Sequence, residues 1–401
     1  MSFEEEKALE SEYVMGTFAR KPICLVEGTG MRVKDDKGRE LLDFIAGIGV
    51  CSLGHCHPAL VSAIKDQAEK LIHVSNYYYI EKRGEVSKIL CDMLNFGLEG
   101  DARFAWKSFY SNSGAESNEC AMKLARLYAH RFGNGGTDIV TLDRSFHGRT
   151  METLAATAQP AKQEAFQPLP GGFLHTPIND LDALQALFDD EANHICAVML
   201  EPIQGESGVH PCTAEFLQEV ERICREKGAL VIADEVQTGI YRTGKPFGFQ
   251  NFGIVPDIVA MAKGIASGFP MGACAAKAEV ARAFEPGDHG TTFGGSNLAI
   301  ASAYATLTTL AEEGVMESIS AVGEHLRNRL AQIPGVENVR GYGLMIGCDV
   351  PQANAHEIVL NALDDGFLLN STGPHTIRFL PPLICTQAEA DAVADYLAKM
   401  I

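Results

Sequence analysis

The chain has 401 residues, a formal net charge of −19 and 46% hydrophobic residues. That length supports a large core and two domains, and no apolar run approaches the ~18 residues that a membrane span needs. The acidic balance argues against nucleic-acid and anionic-membrane partners, which require basic patches, and eleven cysteines without a CxxC pair argue against a disulfide scaffold.

The N-terminus, MSFEEEKALESE, is acidic and lacks the basic-then-apolar layout of a secretory signal, so the expected location is the cytoplasm. In GHCHP (54–58) His55, Cys56 and His57 are clustered, but no further ligands follow at metal-site spacing. The stretch reads as a turn before a helix at 58–72 that Pro58 opens, and no metal is expected. FYSNSGAESNE (109–119) is a small, hydroxyl-rich turn. It leads into a helix at 118–132 whose Met122, Leu124, Ala125, Leu127 and Tyr128 form a broad apolar face.

Three short apolar runs read as buried strands: ICAVMLEPI (195–203), ALVIADEV (229–236) and DIVAMAKG (257–264). Between the first two, Phe216, Val220, Ile223 and Cys224 mark one face of a helix that Gly228 stops. Strand, helix, strand is the unit of a parallel sheet. Residues 298–333 read as one long helix. Short strands follow around 339–350 and 376–384, and a final helix at 387–400 completes a smaller α+β domain.

Each of the three apolar strands ends in ionisable groups: Glu201, Asp234-Glu235 and Lys263. Open α/β sheets bind ligands at the carboxyl ends of their strands. Three further details give this edge a chemistry. The amides of Ser113, Gly114 and Ala115 stand at a helix N-terminus, which suits a phosphate, although on this motif alone an ordinary cap by Ser111, Asn112 or Ser113 is the commoner explanation. Asp234 ends a buried strand and needs a partner, a cationic ring nitrogen on one reading and a structural salt bridge or a helix cap on the other. Lys263 is the one charged residue between Ile258 and Ala273. In a dry site its amine is pushed toward the neutral, nucleophilic form, whereas at the core's edge it would reach water. Together, a phosphate cradle, a carboxylate for a ring nitrogen and a dry lysine are what pyridoxal phosphate requires. The nucleotide alternatives lack their loops: no GxxxxGK[ST] is present, and AGIGVCSLG breaks the GxGxxG pattern at its last glycine.

In this order NSGAES, SFHGRT, EPIQGESG, ADEVQTG, AKGIASGFPMGA, GTTFGG and IRFLPPL resemble the class III, fold-type I aminotransferases. MGTFARKPICLVEGTG and LDFIAGIGVCSLGHCHP resemble the acetylornithine aminotransferase branch, and the likeness runs from about Tyr13 to Leu397. The resemblance implies an α/β fold with a mainly parallel seven-stranded sheet flanked by helices. It implies an N-terminal segment (1–54) packing with the small domain, a large cofactor domain (55–292) and a small C-terminal domain (293–401).

The same resemblance assigns residues. Lys263 is the lysine that joins the cofactor aldehyde and later acts as general base. Asp234 faces the ring nitrogen, Gln237 the ring hydroxyl, and Val236 and Phe146 the two ring faces. Ser113, Gly114 and Ala115 hold the phosphate, joined by Thr292 of the partner subunit in a homodimer with shared sites. Arg149 binds the α-carboxylate of acetylornithine, with Thr291 beside it. Arg378 grips the α-carboxylate of 2-oxoglutarate or glutamate, and Glu206 neutralises it while the ω-amine donor is bound. Ornithine, succinylornithine and 4-aminobutyrate are the alternative donors. Ala266-Ser267-Gly268 after the lysine and Ser296-Asn297 after FGG depart from the common pattern of the relatives without removing a cofactor contact.

Overall fold

The structure is a computed structural model and describes residues 2–312 and 314–401. Seven strands form its large sheet: β1 (Trp106–Ser111), β2 (Asp138–Leu142), β3 (Phe173–Thr176), β4 (Ile195–Leu200), β5 (Leu230–Asp234), β6 (Ile258–Met261) and β7 (Gly272–Lys277). Their order is β1-β7-β6-β5-β4-β2-β3. β7 runs antiparallel to both β6 and β1, and the other neighbours are parallel. The sheet is therefore the mainly parallel one expected. β4, β5 and β6 are buried along their whole length, as strands covered on both faces must be, and this is why their sequences are apolar without alternation.

Helix α1 (Gly114–Phe132) packs on β6 and β7, and α2 (Ala214–Lys227) carries the chain from β4 to β5. In α2 the Thr213 hydroxyl accepts from the Phe216 amide at 3.1 Å, and Gly228 at φ +68° ends the helix. Phe216, Leu217, Val220, Ile223 and Cys224 are its buried face.

Past residue 310 a second, antiparallel sheet joins Glu337–Tyr342, Met345–Asp349, Thr376–Phe379 and Asn370–Ser371 in that order. Near the N-terminus Leu25–Thr29, Arg32–Asp35 and Glu40–Asp43 form an antiparallel set, and Phe367–Leu368 adds to Glu40–Asp43 in parallel.

Three expected elements differ from those observed. The long helix at 298–333 is two, Asn297–Leu310 and Val315–Ala331, with Gly314 at φ +86° before the second. Apolar spacing continues on both sides of the break, so periodicity alone reads through it. The third apolar strand stops at Met261, and Lys263 opens a tight 3₁₀ turn that ends at Ala266. Helix α1 starts at Gly114 rather than 118, because its first turn is polar and gives no apolar signal. No described helix is long and apolar enough to cross a membrane.

Candidate active site

β4, β5 and β6 are parallel neighbours, so their carboxyl ends lie side by side. Glu201, Asp234 and Lys263 line one cavity of about 480 Å³ there, together with Ser113, Gly114, Ala115, Phe146, Arg149, Val236 and Gln237. The turn after β1 is held in place by serines. Ser117 lies 2.8 Å from Ser111 and donates to the Met261 carbonyl at 3.0 Å, which ties β1, α1 and the end of β6 together.

Both readings of this turn hold at once. The Ser113 hydroxyl caps α1, accepting from the Glu116 amide at 3.2 Å. The amides of Gly114 and Ala115, in the first helical turn, have no intrahelical acceptor and point with the helix dipole at the cavity's end. Gly114 is required by space: a Cβ there would lie 2.6 Å from Val236 Cγ1.

Asp234, 3% exposed, accepts from Asn118 Nδ2 at 2.7 Å and from the Val236 amide at 3.0 Å, and pairs with His147 Nδ1 at 2.8 Å. Asn118 also donates to the His147 carbonyl at 2.7 Å. The two residues thus hold the carboxylate in one orientation, with its edge toward the cavity that all three line. Neither was anticipated from sequence. The only signals were that Asn118 lies one helical turn past Gly114 and that His147 follows Phe146 in SFHGRT.

Lys263 holds a non-glycine φ of +46°, a sparsely populated conformation that places its side chain at the cavity floor. Burial pushes its amine below the ordinary lysine range. Glu206 and Asp234 oppose that shift, and the Arg378 charge adds to it. Glu201 is buried at the wall, accepting from the amides of Phe146 at 3.0 Å and Gly205 at 3.3 Å, and burial pushes its carboxyl up to about 7.

Arg378, 2% exposed, donates to Glu206 at 2.8 Å, to the Gly205 carbonyl at 3.1 Å and to Asn370 at 2.9 Å. Burial alone would raise the Glu206 carboxyl. The Arg378 charge and hydrogen bond outweigh it and hold the group at about 2. Gln237 bridges the pair: its carbonyl accepts from Arg378 at 3.2 Å and its amide donates to Glu206 at 3.2 Å. The residue expected to face a ring hydroxyl is engaged here with the ion pair at the cavity's edge. The Arg149 guanidinium carbon lies 5.5 Å from the Phe146 ring centroid.

Thr291 and Thr292 are not in this cavity. They line a separate open groove with Tyr77, Tyr79 and His289, and Thr291 is linked to the site through Asn112, whose amide donates to its hydroxyl at 3.3 Å. The histidine cluster is accounted for locally: His55 pairs with Asp43 at 2.8 Å, and His57 caps the helix Pro58–Lys70.

The family model for aminotransferase class-III matches residues 16–401. The acetylornithine aminotransferase of Caldanaerobacter subterraneus is 48% identical over 98% of both chains, and that of Methanocaldococcus jannaschii is 42% identical over 100% of this chain and 98% of its own. Among solved structures, the ornithine aminotransferase of Toxoplasma gondii superposes with a TM-score of 0.91 at 30% identity, covering 100% of this chain and 94% of that one. The acetylornithine aminotransferase of Elizabethkingia anophelis gives 0.87 at 30%, covering 100% and 99%. This sheet, with its lysine and aspartate at adjacent strand ends, is that of a pyridoxal-phosphate-dependent aminotransferase. The chain belongs to the class-III aminotransferases, in the acetylornithine aminotransferase branch.

The residues present fit that cofactor. The amides after Ser113 offer an anion site that a Cβ at Gly114 would distort. The Nε2 of His147 and the Oδ1 of Asn118 are buried without partners beside Asp234, so this corner has polar capacity to spare.

Proposed function

We propose that this enzyme transfers the δ-amino group of N2-acetylornithine to 2-oxoglutarate, giving N-acetylglutamate 5-semialdehyde and glutamate, as a step of arginine synthesis. The observation that carries the reading is the Glu206–Arg378 pair at the edge of a cavity that Arg149 also lines. The amine donor carries its carboxylate far from the reacting carbon, within the reach expected of Arg149. The oxo-acid carries one next to the reacting carbon and needs a second arginine. Glu206 neutralises Arg378 during the first half-reaction and yields it to the oxo-acid in the second. The acetylornithine aminotransferases among the relatives support the choice of donor.

When bound, pyridoxal phosphate supplies an aldehyde carbon that takes up the amino group and a ring that withdraws electrons. The amides of Gly114 and Ala115 would hold its phosphate, and Phe146 and Val236 would confine its ring. Asp234, oriented by Asn118 and His147, would keep a proton on the ring nitrogen. Lys263 would carry the cofactor at rest. Its Nζ, whose charged form burial disfavours, would serve as the base that takes the proton from the donor's δ-carbon. We further infer a cytoplasmic homodimer in which Thr292 of the partner subunit completes the phosphate site. The placement of Thr292 in an open groove outside its own chain's cavity supports this.

A panel of amine donors with 2-oxoglutarate tests the substrate. Acetylornithine should exceed ornithine, succinylornithine and 4-aminobutyrate by about tenfold or more in kcat/KM. Comparable values across the panel would overturn the donor assignment and leave the reaction class standing.

A further inference from the structure

Arg242 is 2% exposed and has no carboxylate partner among the described residues. Burying a guanidinium without a counter-charge is unfavourable, so its hydrogen bonds identify what it serves. One nitrogen, Nη1, donates to the carbonyl of Leu344 at 3.0 Å and to that of Pro381 at 2.6 Å. Its own carbonyl accepts from the Leu344 amide at 3.0 Å. The other terminal nitrogen, Nη2, is buried without a partner among the described residues.

The two carbonyls belong to one place. Leu344 immediately precedes the strand Met345–Asp349, and Pro381 follows Thr376–Phe379, its antiparallel partner. Arg242 therefore clamps the open end of that ladder, three residues beyond Arg378. The clamp comes from the segment that leaves β5, which also carries Asp234 and Gln237. No slack is left at the joint: Gly343, at φ +51°, could not bear a Cβ, which would lie 2.5 Å from the Gly244 amide nitrogen. Arg378 in turn reaches back to Gln237, Glu206 and the Gly205 carbonyl, all on the large-sheet side.

We propose that Arg242 is a positioning residue for the oxo-acid half of the reaction. It fixes the strand that carries Arg378 against the loop that carries Gln237, so that Arg378 exchanges Glu206 for a substrate carboxylate without a shift of its backbone. This rests on the reading of Arg378 as the oxo-acid arginine. Lys263 and Asp234 serve both half-reactions; the amine-donor half places its carboxylate on Arg149, which the clamp does not touch, and asks of Arg378 only that it stay paired with Glu206.

Single-turnover kinetics of the cofactor-loaded enzyme test it, with the two half-reactions measured apart. Arg242→Lys and Arg242→Gln should raise the concentration of 2-oxoglutarate needed for half-maximal rate about tenfold, and leave that for the amine donor within about twofold. Equal losses in both halves, or a change in melting temperature alone, would overturn the proposal and leave Arg242 a core residue. Failure of both variants to fold would overturn it in the same way. Arg378→Ala is run beside them. If it leaves the oxo-acid requirement unchanged, the reading of Arg378 falls. If it raises that requirement and the Arg242 variants do not, only the positioning role falls.

Discussion

Glu206 shows how one pair of residues combines stability with chemistry. Its carboxyl is held at about 2 against an ordinary 4.5, because the Arg378 charge and hydrogen bond outweigh burial. A carboxyl with a depressed folded pKa stabilises the fold above its unfolded value and loses that contribution as pH falls through the folded one. The window is therefore about pH 4.5 down to 2. Glu206→Gln should lower the stability at pH 7 by on the order of 3 kcal/mol or less, since the group is partly exposed, and this is read as a lower melting temperature. The gap to wild type should close as pH falls through that window, and thermal melts across pH decide it. A gap that stays constant with pH would mean that the pair contributes through packing alone. At this scale much of the site was legible. Lys263 and Asp234 stand out because a charge at the end of an apolar run needs a reason, whereas Arg378 stands out only through the likeness of IRFLPPL to the relatives. His147, Asn118 and Arg242 do not, because their partners lie far away in sequence and only the fold brings them together.

The helix α1 and the loop after β6 are the elements that turn strand ends into a site. Gly114 is the point where α1 approaches Val236, and the 2.6 Å that a Cβ would have to Val236 Cγ1 leaves no room for even a methyl group. Gly114→Ala should displace Val236 and weaken cofactor affinity about tenfold, as overpacking of 1–3 kcal/mol would. Absorbance titration of the cofactor-free enzyme measures it, and an unchanged affinity would remove the cradle from this turn. Element boundaries were the least legible part. Polar first turns hid the start of α1. The break between Leu310 and Val315 was hidden by apolar spacing that runs on across it, and the end of β6 by small apolar residues that suit strand and turn equally.

Across the whole molecule, alternating strands and helices reveal an α/β sheet, but strand order is set by which edges meet in space, and no local pattern encodes it. The position of β7 between β1 and β6 is the clearest case. Assembly likewise needs a second chain to express it. If the sites are shared, Lys263→Ala subunits and Thr292→Glu subunits, each inactive alone, should regain about a quarter of wild-type activity when unfolded together, mixed and refolded, because half the dimers are mixed and each has one intact site. No recovery would place Thr292 outside the partner's site. The pairing of β1 with β7 has a further consequence for how the enzyme is made. β1 lies at the sheet's edge with β7 as its sole neighbour, so the serine turn that follows it has no finished support until Gly272–Lys277 has emerged from the ribosome. Arg378 and the strand Phe367–Leu368, which completes the N-terminal sheet, come later still. A nascent chain that has not yet reached Gly272 therefore has neither the supported serine turn nor Arg378 in place.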